Sequence, residues 1–390
     1  MKIFVTGIGV VSAIGLNAGE NLRSLQSRVT GISQSSDHNL MIGEVKLSNE
    51  QIIKLHDLPN EDYSRTTLLS LIAAKEAWGN NMHQANIRTG LISSTSIGGL
   101  DRTEKYYFES QKNKSSDTYK LMTHDNGRTT ERIAVELGIS GYIGTISTAC
   151  SSGANAIMQG ARLLEGNKLD RVIVGGSDPL ALFDIKGFSS LNIYDRDICK
   201  PFDNARKGLN LGEGAGFLVL ENEQSISITG HTPLCLLSGW NNSTDAFHQT
   251  ASSENGKGAY LAMINALAKA DIRSEKINYI NAHGTGTGNN DLSESAAIKN
   301  VFGKNIPPFS STKGFTGHTL AAAGAIEAVY CVQSIQTQSI FPNLNFSTPM
   351  KETGMVPETI YRSEVDVENV LSNSFGFGGN CTCLIFSKVH

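Results

Sequence analysis

Four short segments of the sequence combine nucleophilic, imidazole and hydroxyl side chains with glycine and other small residues. The first runs from Ile146 to Ala154 and places Cys150 where a strand-like run gives way to a predicted helix. Small neighbours leave room for a substrate, and the helix amino terminus offers free N–H groups and partial positive charge. These features favour a thiolate and predict a lowered pKa for Cys150, whose own N–H could stabilise an oxyanion. A small buried cysteine at a turn is the alternative.

The second segment runs from Asn281 to Asp291 and carries a histidine at the end of a predicted strand. His283 is followed by a loop of glycine and threonine and then by a predicted helix, which has Asp291 and Glu294 near its start. The hydroxyls of Thr285 and Thr287 share one face of an extended loop, where they could hydrogen-bond an amide-bearing substrate arm. The alternative is a glycine turn that carries a surface histidine.

The third segment, residues 311–318, ends in His318 and precedes an alanine-rich helix that contains Glu327. A histidine at the start of a helix tends to stay neutral, because the positive end of the helix dipole disfavours imidazolium. A neutral imidazole can donate a hydrogen bond to a carbonyl or enolate oxygen. Lys313 adds a cation to this segment, unless it is a solvated surface lysine.

The fourth segment, residues 373–380, places Phe375 and Phe377 among glycines close to the end of the chain. Such a stretch predicts a mobile lid over a pocket. A tight β-hairpin with one core aromatic is the alternative.

The elements that must position these residues alternate between short β-rich runs and longer helical runs, which indicates an α/β protein. The two halves echo each other, so we predict a boundary after residue 230. Residues 1–230 would carry the cysteine, and residues 231–390 would carry both histidines and the lid. The first strand is predicted to end at Thr6. The next residues, to Ser12, are predicted to form a tight turn, because the third glycine and the later acidic residue of a dinucleotide site are missing.

The composition argues against several classes of function. The chain has 390 residues and a formal net charge of −4, without the basic stripe that marks nucleic-acid binding. No apolar run approaches about 18 residues, so no membrane span is expected. The six cysteines have neither the spacing of a zinc site nor that of a disulfide framework. That usage predicts a reducing, cytoplasmic compartment and no bound metal.

In their order and separations, the four segments together resemble those of β-ketoacyl-acyl-carrier-protein synthases, closest to the ketosynthase I/II type. The resemblance extends from the first strand to the last and includes residues 200–203, 212–216 and 97–99. It implies a thiolase-like, five-layered αβαβα fold made of two similar halves, usually as a homodimer. It also implies substrates carried on the phosphopantetheine of acyl carrier protein. No spacing in the sequence implies a metal or organic cofactor.

The resemblance implies a decarboxylative Claisen condensation that yields a 3-oxoacyl-carrier protein, in fatty-acid or polyene and polyketide biosynthesis. Cys150 would accept the acyl chain from a carrier thioester. His283 and His318 would promote decarboxylation of a malonyl thioester and stabilise the enolate. The other implied roles are electrostatic tuning by Lys313, support by Glu327 and Asp291, gating and an oxyanion N–H from Phe377, contacts to the phosphopantetheine arm from Thr285 and Thr287, and a limit to the acyl pocket from Ile97.

The sequence departs from the common family pattern away from the nucleophile and the histidines. Asn380 and Cys381 stand where Thr-Asn is more usual, and Lys207 stands where an acidic residue is usual. The Gly288-Asn289-Asn290 form of the histidine loop is more similar to that of ketosynthases from aryl-polyene and related pigment pathways. These changes leave the acyl substrate open, whether saturated or polyene, but not the reaction.

Three alternatives stay open at this point. A thiolase shares the fold but needs a second catalytic cysteine late in the chain, and Cys381 and Cys383 follow a lid rather than a glycine-rich cysteine turn. A chain length factor would lack the nucleophile, whereas Cys150 is present. The chain could also be the active subunit of a heterodimer with such a factor. Candidate cations for docking an acidic carrier protein are Arg65, Lys200, Arg206 and Lys207.

Overall fold

The computed structural model describes residues 1–36, 38–59, 61, 63–79, 86–113 and 118–390. Within that part of the chain, the strands are β1 Ile3–Ser12, β2 Ile32–Gln34, β3 Met41–Gly43, β4 Thr89–Ser94, β5 Ile143–Ile146, β6 Arg171–Asp178, β7 Gly214–Asn222, β8 Cys235–Thr244, β9 Tyr279–Asn281, β10 Phe309–Ser310, β11 Asn369–Gly376 and β12 Asn380–Ser387. The α-helices of the same part are α1 Ala18–Ser27, α2 Asn49–Leu55, α3 Arg65–Trp78, α4 Leu100–Asn113, α5 Asn126–Leu137, α6 Ser152–Glu165, α7 Leu182–Ser190, α8 Glu223–Thr229, α9 Lys257–Ala270, α10 Gly288–Phe302, α11 Lys313–Thr316 and α12 Ala323–Thr337.

The main sheet repeats one strand pattern twice. Its order is β10-β9-β11-β12-β8-β1-β7-β6-β4-β5. The main-sheet strands are β1, β4, β5, β6 and β7 in the first half and β8 to β12 in the second. Counted along the chain within each half, the order from the outer edge to the β8–β1 contact is third, second, fourth, fifth and first strand. In both halves the outer three strands run parallel, and the next two are antiparallel to their neighbours. The two similar halves that the resemblance implied are therefore present.

Helices separate and cover the two half-sheets. In the middle lie α6, which packs on β4 and β6, and α12, which contacts both β7 and β11. The outer face of the first half-sheet carries α3 and α5, and that of the second carries α9 with α10 beside it. Strand β7 shows why: Leu218 and Leu220 pack into the central core, while Phe217 and Val219 join the core under α3. The result is the five-layered αβαβα arrangement of a thiolase-like fold.

The predicted turn after Thr6 is wrong, because β1 continues to Ser12. The strand has a bulge between Val5 and Gly7, and the tight turn follows at Ser12 to Gly15. Its glycines serve close packing, since a Cβ at Gly9 would lie 2.0 Å from the carbonyl oxygen of Ala73 on α3. The small residues of this segment therefore bring a helix against the sheet instead of reversing the chain.

The helices of the described residues are of moderate length. The longest, α10 and α12, each have 15 residues. No helix in this part of the chain is both long and apolar enough to span a bilayer. The predicted boundary after residue 230 falls between α8 and β8, and its assignment as a division between domains stays a prediction.

Candidate active site

Cys150 lies in the sharp turn that joins β5 to α6. Ala149 adopts a left-handed conformation with a φ of 51°, and α6 begins at Ser152. The Ser152 hydroxyl closes the turn, because Oγ accepts from the Thr148 N–H at 2.8 Å and donates to the Ala149 carbonyl at 2.6 Å. Cys150 itself is 5% exposed and lines the cavity described below. The strand-to-helix turn predicted around the nucleophile is therefore confirmed.

The expected low pKa of Cys150 is wrong. Burial raises the pKa of this thiol to about 12, although the charge of Lys313 and the N–H groups of Phe377 and Cys150 oppose the rise. Removal from water disfavours the thiolate more than the helix terminus and the nearby cation favour it. The Cys150 thiol is therefore neutral near pH 7.

His283 is fixed through its backbone by a carboxylate to which the sequence analysis assigned no role. Glu294 on α10 accepts from the N–H groups of His283 at 2.9 Å and Gly284 at 2.8 Å. Asn373 on β11 donates to the same carboxylate at 3.0 Å. The available signal was the three-residue spacing from Asp291, which places both carboxylates on one face of a helix.

Asp291 supports the threonine loop rather than the histidines. Its buried carboxylate accepts from the N–H groups of Phe202 at 2.7 Å and Gly286 at 3.2 Å. The loop therefore has a fixed shape, in which the hydroxyls of Thr285 and Thr287 lie 2.9 Å apart. Both threonines line the cavity, as the prediction of a substrate-binding loop requires.

Lys313 and Glu327 form a buried ion pair beside His283. The Lys313 Nζ lies 2.5 Å from Glu327 Oε1 and 3.4 Å from His283 Nδ1. The two charged side chains are only 2% and 3% exposed, which excludes a solvated surface lysine. Burial raises the pKa of Glu327 to about 7, and Lys313 opposes that rise. The pair places a fixed cation against the histidine site.

The two histidine rings pack edge to face in the cavity wall. The centroids of His283 and His318 are 5.4 Å apart with an interplanar angle of 85°. Burial, reinforced by the charge of Lys313, holds the pKa of both imidazoles well below its usual range. The main cause of the expected neutrality of His318 is therefore burial, and not the helix terminus that the sequence suggested.

The predicted lid is the tip of the hairpin between β11 and β12. Strands β11 and β12 pair on either side of it, so its backbone is the β-hairpin of the alternative prediction. Phe375 is the core aromatic of this hairpin, and its ring centroid lies 5.6 Å from that of His283. Phe377 lines the cavity and stacks on Phe188 of α7, with centroids 5.7 Å apart. Phe188 was missed, because nothing in the sequence marks which aromatic of α7 meets the hairpin tip.

A cavity of about 120 Å³ that opens to solvent brings these groups together. Six of the site residues predicted from the sequence line this cavity: Cys150, His283, His318, Thr285, Thr287 and Phe377. Ile97 is not among the residues that line it, so its part in limiting an acyl pocket stays a prediction. Lys313, Glu327 and Asp291 are not among the residues that line it. Lys313 contacts the lining residue His283, Glu327 contacts Lys313, and Asp291 contacts the lining residue Asn290.

The proposed docking cations occupy different environments. Arg65 is wrong as a docking residue, because its guanidinium lies 2.7 Å from Glu213 and its side chain is 14% exposed. Arg206 donates to the carbonyls of Thr287 and Gly288 at 3.2 and 2.9 Å, so it braces the threonine loop. Lys207, next to it, is exposed.

Comparison with known proteins places both halves of the chain in one family. The family model described as beta-ketoacyl synthase, N-terminal domain, matches residues 1–225, and that for the C-terminal domain matches residues 234–347. A curated relative is the 3-oxoacyl-[acyl-carrier-protein] synthase 2 of Staphylococcus aureus. It is 31% identical, over 100% of this chain and 98% of the relative.

Solved structures give the same answer. The ishigamide ketosynthase/chain length factor matches with a TM-score of 0.93 and 27% identity, over 100% of this chain and 99% of that one. The ketosynthase ApeO, in complex with its chain length factor ApeC, from Xenorhabdus doucetiae matches with a TM-score of 0.86 and 31% identity, over 100% and 98%. Neither Cys381 nor Cys383 is among the residues that line the cavity. The chain belongs to the β-ketoacyl synthase family of condensing acyltransferases.

Proposed function

We propose that this chain joins a Cys150-bound acyl group to the two-carbon unit of malonyl-carrier protein, giving 3-oxoacyl-carrier protein and CO2. The observation that carries the proposal is the convergence of one cysteine and two neutral histidines on a single cavity. The carrier protein is supported by the printed name of the curated relative. A Ser-His-Asp hydrolase would need a carboxylate that orients a histidine base through its ring, whereas Glu294 binds the backbone of His283.

The first half-reaction is acyl transfer to Cys150. The sulfur attacks the thioester carbonyl carbon, the bond from that carbon to the carrier sulfur breaks, and the thiol proton passes to the leaving sulfur. The N–H groups of Cys150 and Phe377 both approach the nucleophilic sulfur, where they can stabilise the oxyanion that forms beside it. Cysteine suits the role because its sulfur is both a good nucleophile and a good leaving group.

The second half-reaction is decarboxylation followed by carbon–carbon bond formation. The bond between the malonyl methylene and its carboxylate breaks, CO2 leaves, and the electron pair forms an enolate. Neutral His283 and His318 can donate hydrogen bonds to the enolate oxygen without a strong base. The enolate carbon attacks the acyl carbonyl, the bond to Cys150 breaks, and the thiolate regains a proton from solvent. Thr285 and Thr287 would hold the phosphopantetheine arm at the mouth.

The direct test of this reaction is product analysis. Octanoyl-carrier protein and malonyl-carrier protein are incubated with the chain, and the carrier is examined by mass spectrometry. We expect 3-oxodecanoyl-carrier protein to accumulate with one CO2 for each product. Free octanoate without a condensation product, from a chain that has loaded, would identify a hydrolase instead and contradict the proposal.

The reaction as proposed needs no resident metal or organic cofactor, because decarboxylation supplies the carbanion and the histidines supply the hydrogen bonds. The phosphopantetheine belongs to the carrier protein and enters with each substrate. We also propose a cytoplasmic location. All six cysteines are buried and free, which fits a reducing compartment.

A dimer is the proposed assembly, with a second copy as the first choice and a chain length factor as the alternative. Strand β5 ends the sheet and leaves one row of backbone groups available for pairing. Beside this edge, Tyr142 and Ile143 are 46% and 42% exposed. Light scattering on the chain purified alone, and again with a co-expressed factor, would separate the two assemblies. Loading by the chain alone would favour the homodimer.

Reversing the charge of Lys207 tests carrier docking. We expect Lys207→Glu to raise the KM for carrier-bound substrate roughly fivefold and to leave kcat unchanged, because the carrier is acidic and exposed charges act mainly on encounter. Arg206 is unsuitable for this test because it braces the threonine loop. Lys304→Glu is the matched control, since it makes the same charge change beyond the opposite end of α10. An equal KM in both variants would remove Lys207 from the docking surface.

Removing Lys313 should shift the pH profile of condensation to higher pH. Its positive charge disfavours imidazolium, so Lys313→Met should raise the pKa of both histidines. Protonated histidines cannot act as the neutral donors, so kcat/KM of condensation should begin to fall at a higher pH in Lys313→Met than in the wild type. Lys313→Arg keeps the charge and should keep the wild-type profile. Coincident profiles for the wild type and Lys313→Met would contradict this role for Lys313.

A further inference from the structure

A cluster of polar side chains connects the segment that carries Phe377, residues 376–380, to the turn around Cys150. Its centre is the side-chain oxygen of Asn380, the first residue of β12. This oxygen accepts from Ser151 Oγ at 2.7 Å, Asn155 Nδ2 at 2.8 Å and Asn242 Nδ2 at 2.6 Å. Thr382 donates to Asn155 Oδ1 at 2.8 Å and completes what we call the asparagine cluster.

The asparagine cluster reaches the nucleophile turn through two of its members. Ser151 directly follows Cys150, is 0% exposed, and its Oγ also lies 2.8 Å from the Thr148 carbonyl oxygen. Asn155, one turn further along α6, donates to Thr148 Oγ1 at 2.9 Å. Asn380 is therefore joined by hydrogen bonds to residues on both sides of the nucleophile.

The asparagine cluster fixes the carboxyl end of the segment that carries Phe377, at Asn380. Close packing fixes its amino end, at Gly376. Phe377 is separated from Asn380 only by Gly378 and Gly379, whose φ values are 82° and 81°. On the preceding side, a Cβ at Gly376 would lie 2.8 Å from the Thr148 carbonyl oxygen and 3.3 Å from the Cys150 nitrogen. The backbone of Phe377 is thus suspended between two anchors that both rest on the turn around Cys150.

We propose that Asn380 is a positioning residue for acyl transfer, which holds the Phe377 N–H at a fixed distance from the Cys150 N–H. This inference rests on the proposed function, in which those two groups stabilise the oxyanion. An amide oxygen suits the position because it can accept the converging donors, which would be left without this acceptor if it were removed. The segment would then shift at its β12 end, and a displacement of about 1 Å can slow a positioned reaction by as much as about 10²-fold.

The test separates acyl transfer from simple reactivity of the cysteine. We expect Asn380→Ala to lower kcat for loading from octanoyl-carrier protein roughly 10- to 100-fold, with KM within about twofold of wild type. Alkylation of Cys150 by iodoacetamide forms no oxyanion, so its rate should stay within about twofold. Asn380→Asp keeps an acceptor oxygen at the same place and should recover loading to within about threefold. Asn380→Leu keeps a similar shape without an acceptor oxygen and provides a second variant if the alanine variant fails to fold.

Each outcome supports or overturns the inference. Equal loading by wild type and the alanine or leucine variant overturns it. An equal fall in loading and in alkylation also overturns it, because the cysteine turn itself would then have moved. Failure of Asn380→Asp to recover loading would also overturn it. A wild type that is alkylated at Cys150 but forms no adduct with octanoyl- or polyenoyl-carrier protein, alone or with a co-expressed chain length factor, defeats the proposed function as well. Normal loading by both the wild type and the variant defeats this inference alone.

Discussion

Replacing Cys150 with alanine is expected to abolish acyl-enzyme formation and to lower condensation at least about 10⁴-fold. The thiol is the strongest nucleophile among the residues that line the cavity, and alanine offers no nucleophile in its place. The cavity walls should survive, because a small buried side chain is replaced by a slightly smaller one. Intact-protein mass after incubation with octanoyl-carrier protein should show one acyl adduct on wild type and none on the variant.

Cys235→Ala is the matched control for this experiment. Cys235 is also a buried free cysteine with a raised pKa, but it lies in the central core and does not line the cavity. Its alanine variant should load like wild type. An adduct that persists in Cys150→Ala and disappears in Cys235→Ala would assign the nucleophile to the wrong cysteine.

Replacing His318 with alanine is the second large expected effect, and it should separate the two half-reactions. We expect condensation to fall by about 10²–10³-fold, because one of two donors to the enolate oxygen is lost from a buried site. Acyl loading should fall by less than about tenfold, since the groups that stabilise its oxyanion are backbone N–H groups. Single-turnover measurements of adduct formation, and then of malonyl consumption, report the two steps separately.

His318→Gln tests what the imidazole contributes. Glutamine keeps a neutral N–H donor but cannot exchange a proton near neutral pH, so a donor role predicts recovery of at least about tenfold over the alanine variant. A glutamine variant as slow as the alanine variant would indicate proton transfer by His318. Equal losses of loading and condensation in both variants would show that the histidine does not act specifically on the enolate.

The convergence of the site could be predicted because its four segments share one topological position. Cys150, His283, Lys313 and Phe377 follow the carboxyl ends of β5, β9, β10 and β11, respectively. Side chains that follow the carboxyl ends of parallel strands lie at the same edge of the sheet, where ligands bind in α/β proteins. The duplicated strand order then brings the cysteine of one half beside the histidines of the other.

The predictions that failed depend on burial and on partners distant in sequence. The helix amino terminus at Cys150 is local and was predicted, but the depth that raises the pKa of its thiol depends on the packing of both halves. An arginine such as Arg65 is usually exposed, so the sequence predicted a surface cation. Its buried partner, Glu213, is distant in sequence and could not be identified from the residues around Arg65. Phe188 belongs to the same class, because its stacking on Phe377 joins two elements far apart in sequence.

The central claim is that Cys150 carries the acyl group that condenses with the malonyl unit, and a chase experiment tests it most directly. Wild type is loaded with octanoyl-carrier protein, freed of the carrier, and mapped by peptide mass spectrometry before and after malonyl-carrier protein is added. The account predicts one octanoyl group on the peptide that contains Cys150. It also predicts loss of this group at the rate at which 3-oxodecanoyl-carrier protein and CO2 appear in equal amounts. Product formation while the adduct persists, or an adduct on another residue, would contradict the account.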